Sequence, residues 1–216
     1  NIQTSGRTLL SLINDILDMS RIERGKIDLK DETVDIMKLH EEVEIILNPL
    51  LEARKIKLEK DFAACGERFV RGDYMRLEQI WLNLLNNAIK FSPEGGYILW
   101  TVRDRRLDEG RVQAELSVQD WGCGMSEDFQ KHIFEPFTQE SNQYSSSVNG
   151  TGLGMSIVHN MVQKMGGTIE VSSKLGKGTI FTIKLVLEIA AGQEQHTEYV
   201  QPCYEVSLRG HCILLV

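Results

Sequence analysis

With 216 residues, 42% hydrophobic and 25% charged, the chain is long enough for one large domain or a medium domain with appendages, and its core needs no disulfide or metal staple. A net charge of −7 argues against nucleic acid or an anionic membrane as a partner. The four cysteines (Cys65, Cys123, Cys203, Cys212) contain no C-x-x-C pair, which reads as reduced thiols in a cytosolic setting, and no apolar run approaches the roughly 18 residues of a membrane span.

Residues 1–24 read as a helix, because Ile2, Leu9 and Ile16 recur every seven residues with Leu12, Ile13 and Met19 beside them. Gly25 closes it. Lys26 to Ile36 alternates as a strand, and 36–54 is helical in pattern despite Pro49. "KIKLEKDF" (55–62) is a strand, and a helix follows from an Asp73 cap to Phe91. Ser92 to Gly96 is a turn between that helix and two strands near 97–105 and 111–120. A short helix follows Ser126, and the serine-rich stretch 138–150 is a loop. A helix over 151–165 ends at Gly166-Gly167, with strands near 168–173 and 179–187 behind it. Residues 190–207 are polar and linker-like. Helices interspersed with hairpins predict an α+β chain, a two-layer α/β sandwich with an N-terminal helical appendage. The absence of an initiator Met and the apolar final "HCILLV" suggest a piece of a longer protein.

No P-loop and no G-x-G-x-x-G fingerprint occurs, so a phosphate site would have to be built otherwise. In "NLLNNAIKF", Asn83, Asn87 and Lys90 share one helix face. That face is either a solvated stripe or a place where an amide oxygen meets Mg²⁺ and an ammonium meets phosphate. "QDWGCGMS" ends a strand at Asp120 and turns through Gly122 and Gly124; it is either a plain turn or a close approach to a flat ligand with an exocyclic amine. "IFEPF", with Phe134 and Phe137, is a hydrophobic plug by default. "NGTGLGMSIV" brings Gly150, Gly152 and Gly154 up to a helix start, which suits either a hinge or an anion on free backbone N–H groups.

Taken in order, Asn-x-x-x-Asn-Ala-x-Lys-Phe, Asp-x-Gly-x-Gly, Phe-x-Pro-Phe, Gly-Thr-Gly-Leu-Gly and Gly-x-Gly-Thr resemble the ATP-binding domain of sensor histidine kinases, in the superfamily of gyrase, heat-shock chaperone, histidine kinase and MutL. The resemblance implies a Bergerat-type sandwich that binds ATP with Mg²⁺, Asn87 being the metal ligand. It implies catalytic roles for Asn83 and Lys90, the latter on phosphate. Asp120 would hold the adenine amine, with Gly122, Gly124 and Thr179 on the adenine side. Gly150, Thr151, Gly152, Leu153 and Gly154 would frame the phosphates, 138–149 would form a lid, and Phe134 and Phe137 would position that lid and touch the helical domain. ATP-hydrolysing relatives carry a Glu where this chain has Asn83, and an amide is no general base. Transfer of the γ-phosphoryl group to a protein side chain is therefore expected rather than hydrolysis.

Residues 1–25 resemble the second helix of the family's dimerisation domain, so the expected organisation is that partial helix, the ATP-binding domain over 26–189, a linker over 190–208 and the start of a receiver domain over 209–216. The acceptor histidine belongs to a first helix absent from this chain, and none of its five histidines matches that context. The expected parent is a hybrid sensor kinase, dimeric through the helical domain, passing phosphate from histidine to a receiver aspartate. This part would lie on the cytoplasmic side of a bacterial membrane-anchored sensor, without itself touching the membrane. The competing reading is a non-catalytic nucleotide-binding or dimerisation scaffold.

Overall fold

A computed structural model describes residues 28–140 and 151–190. The expected heptad helix, Gly150, most of the polar loop and the receiver-like strand lie outside the described residues.

The elements in chain order are β1 (Glu32–Asp35), α1 (Ile36–Ala53), β2 (Lys57–Ala64), β3 (Phe69–Gly72), α2 (Tyr74–Phe91), β4 (Tyr97–Arg106), β5 (Arg111–Asp120), α3 (Glu127–His132), α4 (Gly154–Lys164), β6 (Thr168–Lys174) and β7 (Gly178–Ile189). Their strands form one seven-stranded sheet in the order β1-β3-β7-β5-β4-β2, with β6 also on β7. All pairings are antiparallel except β2 on β4.

Alternation decides which face of the sheet is covered. Ile98, Trp100 and Val102 on β4, Val112, Ala114, Leu116 and Val118 on β5, and Phe181, Ile183, Leu185 and Leu187 on β7 are all buried. The residues between them are mostly polar and more exposed, as a half-covered antiparallel sheet requires. The helices supply the opposing layer: Leu39, Val43 and Leu47 from α1, Leu77, Ile80, Trp81, Leu84 and Leu85 from α2, and Ile157, Val158, Met161 and Val162 from α4 join the same core. The result is the two-layer sandwich expected from the sequence.

Three local departures have physical causes. Of the strand expected over 26–36, the described residues form Glu32–Asp35, and it stops before Ile36 because the Asp35 carboxylate accepts the Met37 and Lys38 N–H groups (3.1 and 3.2 Å) and starts α1. Pro49 does not end α1; buried Leu47 and Leu51 on either side hold the helix onto the core across the missing N–H. The four residues of β3, to which no element is assigned by pattern, bridge β1 and β7.

Candidate functional site

A cleft of about 350 Å³ opens between the last turns of α2, the end of β5 and the start of α4. That is the size of a small-molecule pocket.

One end is built by strand register. Val112, Ala114, Leu116 and Val118 point inward, so the same period carries Asp120 inward at the strand's end, where it is 6% exposed. On β7, Thr179 pairs with Asp120 and faces the same way. The Asp120 carboxylate accepts the Gly122 N–H at 2.8 Å and the backbone N–H of Thr179. Burial outweighs these bonds and pushes its pKa up to about 6. The loop after Asp120 leaves no room for side chains: a Cβ on Gly124 would lie 2.0 Å from the Lys174 carbonyl oxygen, and its φ is +64°. Gly124→Ala should therefore lower stability by more than about 2 kcal/mol, read as a urea midpoint shift, and wild-type stability in that variant would refute the packing argument.

The other end is built by two helices. Among the described residues, α1, α2 and α3 are capped by Asp35, Asp73 and Ser126, whereas Leu153 caps α4 with no side-chain hydrogen bond. Among the described residues no side chain caps the first-turn N–H groups of α4, which has Gly154 and Met155 on the cleft, and a helix start of this kind favours an anion. Facing them, α2 presents Asn83, Asn87 and Lys90. The two helices pack closely, since a Cβ on Gly154 would sit 3.1 Å from Asn83 Oδ1. Lys90 is half-buried, and burial alone lowers its pKa, with no carboxylate contributing. An ammonium so placed is stabilised by an incoming anion. Among the described residues there is no group of three or more His, Cys, Asp or Glu to hold a metal. A cation here would rely on amide oxygens such as that of Asn87, together with ligand and water oxygens.

Of the expected site residues, Asn83, Asn87, Lys90, Asp120, Gly124, Thr151, Gly152, Gly154 and Thr179 line the cleft. Four others do not. Gly122 sits under the Asp120 loop, where a Cβ would lie 2.2 Å from the Phe91 carbonyl oxygen. Leu153 is fully buried, its side chain part of the core. Phe134 stacks on His159 of α4, ring centroids 4.9 Å apart. Phe137 is 68% exposed with φ +62° and bonds through its N–H to the Gly152 carbonyl.

The structure also adds residues that motif reading leaves out. Cys123, Met125, Phe129, Ile133 and Phe181 wall the cleft. Arg54, just past α1, donates to the carbonyl oxygens of Ile89 (2.6 Å), Lys90 (2.8 Å) and Ser92 (2.8 Å), fixing the end of α2 that carries Lys90. Phe181 was findable, since it shares the inward alternation of β7; Arg54 lies far away in sequence and carries no motif.

Residues 72–189 match the family model described as histidine kinase-, DNA gyrase B-, and HSP90-like ATPase. The autoinducer 2 sensor kinase/phosphatase LuxQ of Vibrio cholerae is 35% identical over 220 residues, 99% of this chain and 25% of LuxQ. The structure of full-length ShkA in complex with AMPPNP superposes with a TM-score of 0.73 at 34% identity, over 88% of this chain and 38% of ShkA. The histidine kinase AdeS of Acinetobacter baumannii gives a TM-score of 0.66 at 26% identity, over 87% of this chain and 81% of the AdeS chain. This chain spans about a quarter of the length of the curated relatives it matches. The family match takes in more than half of the chain and every residue lining the cleft, and the chain belongs to the family of histidine kinase-, DNA gyrase B- and HSP90-like ATPases.

Proposed function

We propose that this chain is the ATP-binding catalytic part of a hybrid sensor histidine kinase. One observation carries the reading: a single cleft has a buried carboxylate at one end, and an uncapped helix N-terminus opposite Lys90 and two asparagines at the other. Asp120 suits the exocyclic amine of adenine, and the start of α4 suits the phosphates. Lys90 offsets phosphate charge in a half-buried position, where a cation counts for more than in water. Asn87 would hold Mg²⁺ by its amide oxygen, and a bound Mg²⁺ supplies neutralisation of the phosphate oxygens.

In the transfer, the bond between the γ-phosphorus and the β–γ bridging oxygen breaks, a bond from phosphorus to an imidazole nitrogen forms, and ADP leaves. The acceptor imidazole belongs to another segment of the parent protein. This chain's share is to bind and orient the nucleotide. Asn83, an amide where hydrolytic relatives carry a carboxylate, withholds the base that would activate water. The parent would dimerise through its helical domain, act on the cytoplasmic side of the membrane and pass its phosphoryl group to a receiver domain or response regulator. Among the described residues no helix is long and apolar enough to cross a membrane.

Titration calorimetry with ATP tests the reading. Asn87→Ala should weaken binding about tenfold or more in Mg²⁺ and change little in EDTA, a loss of the size of one charge-assisted contact. A polypeptide carrying the acceptor helix should then gain acid-labile phosphate. Unchanged ATP affinity in both Asn87→Ala and Asp120→Ala would sink the assignment.

A further inference from the structure

Asp120, Thr179 and Ser173 form one row across three strands: Asp120 pairs with Thr179 from β5 to β7, and Thr179 pairs with Ser173 from β7 to β6. The first two line the cleft and Ser173 does not. Ser173 follows Ile169 and Val171 in the partly buried register of β6, a polar residue where the pattern calls for an apolar one.

The Ser173 hydroxyl has three neighbours. It lies 2.9 Å from the Gly178 carbonyl oxygen, 2.9 Å from the Met125 backbone nitrogen and 2.8 Å from Thr179 Oγ1. A hydroxyl has one proton and two lone pairs. The carbonyl can only accept, so it takes the Ser173 proton. The Met125 N–H can only donate, so it takes one lone pair. The remaining lone pair is left for Thr179, which must donate its own proton to Ser173. With its proton turned away, Thr179 shows the cleft lone pairs only.

Gln130 of α3 locks this arrangement. Its side-chain oxygen accepts the Ser173 N–H (3.1 Å), and the two protons of its NH₂ are shared among three carbonyls, those of Ser173 (3.1 Å), Ser126 (3.2 Å) and Met125 (3.3 Å). The amide thus occupies the open edge of β6 as a neighbouring strand would.

We infer that Ser173 is a specificity-determining residue: by taking the Thr179 proton it makes the base end of the cleft an edge of two acceptors, Thr179 and Asp120, which admits a purine bearing a 6-amino group and rejects one bearing a 6-oxo group. Ser173 acts through Thr179 and touches no ligand itself. The inference rests on the ATP-site reading above. Without Ser173, the Thr179 hydroxyl turns and donates into the cleft, and a 6-oxo base gains a partner. Asp120 still disfavours that base, so selectivity drops without vanishing.

The test is calorimetry with ATP and ITP, which differ at the 6-position and the adjoining ring nitrogen, in Mg²⁺ at pH 8. The wild-type protein should prefer ATP by roughly 100-fold, the scale of one hydrogen bond to a charged group. Ser173→Ala should cut that ratio about tenfold, chiefly through tighter ITP binding. Ser173→Thr, which keeps the hydroxyl, should retain the ratio, and Gln130→Met should give an intermediate drop. A purely structural role would weaken both nucleotides alike and leave the ratio fixed. An unchanged ratio in Ser173→Ala, or equal wild-type affinities for ATP and ITP, overturns the inference. If Ser173→Ala fails to fold, the Gln130→Met ratio decides in the same way. Absence of ATP binding by the wild-type protein instead removes the ATP-site reading, and this inference with it.

Discussion

Asp120→Asn should make the empty fold more stable and its nucleotide complex weaker at pH 8. The carboxyl is held in the fold at a pKa of about 6 against 3.8 for the free side chain, and burial is the main cause. A raised carboxyl pKa means that the folded state favours the proton, so this group's contribution to stability is present below pH 3.8 and is lost as pH rises through 6. At pH 8 the buried charge therefore costs on the order of 3 kcal/mol. An asparagine keeps an oxygen for the N–H groups of Gly122 and Thr179 and carries no charge. A gain of about 1–3 kcal/mol in urea denaturation is expected. ATP affinity should fall by roughly 100-fold, because a neutral amide replaces a charge-assisted acceptor in a desolvated position and its NH₂ faces an amine. Wild-type affinity should also fall as pH drops below about 6, where Asp120 takes a proton. A variant less stable than wild type that binds ATP equally well would show that Asp120 is a structural group.

That opposition between stability and binding explains why part of the site is legible in sequence and part is not. Asp120 breaks a local rule: the run Val112, Ala114, Leu116, Val118 sets an inward register, and a carboxylate occupies its next position. Such a breach needs a reason, and the pattern alone exposes it. Asn83, Asn87 and Lys90 are legible as one face of α2 because helical spacing fixes their common direction, although that spacing leaves open what they face. What they face is α4, whose first residue lies more than sixty positions further on and whose N-cap, Leu153, makes no side-chain hydrogen bond. Asp73 reads directly from sequence as a cap and Ser126 as the start of a short helix, whereas Asp35 is hidden inside an alternating run and shows as a cap only in the fold.

Other features need the fold. β3 has four residues, too few to show a period, and owes its existence to pairing with β1 and β7. The parallel pairing of β2 on β4 is equally invisible, because α2 and β3 intervene in the chain. The places of Phe134 against His159 of α4 and of Phe137 in solvent, bonded at Gly152, also come only from the fold. The Gln130–Ser173 clasp joins residues 43 apart and matches no motif. Only the inward place of Ser173 in β6 hints at it.

The pH dependence of stability should be nearly flat in the wild-type protein between pH 6 and 4, and steep in two variants with opposite signs. The second group responsible is His40, 3% exposed on α1 and packed among Phe62, Trp81 and Trp100, with ring centroids 4.6, 5.6 and 5.0 Å away. Among the described residues neither ring nitrogen has a hydrogen-bond partner. Burial, helped by the Lys60 charge, lowers its pKa from 6.5 to about 4. A depressed histidine pKa means that the unfolded chain takes the proton first. Its contribution to stability is therefore present above pH 6.5 and is lost as pH falls towards 4, by up to on the order of 3 kcal/mol. Asp120 works in the other direction across nearly the same window, stability rising as pH falls from 6 to 3.8. The carboxylates of Asp31, Asp35 and Asp108 are held below 3.8 by hydrogen bonds and arginine neighbours, so their losses begin only near the acid end of that window. The two buried groups should thus offset each other in the wild type. Asp120→Asn removes the rising component and should leave stability falling as the medium is acidified. His40→Phe removes the falling one and should leave stability rising; a void of about 30 Å³ lined by His40 gives the larger ring room. Urea denaturation at pH 6.5, 5.5 and 4.5 separates the cases, and two variants whose curves run parallel to wild type would show that neither buried group governs acid stability.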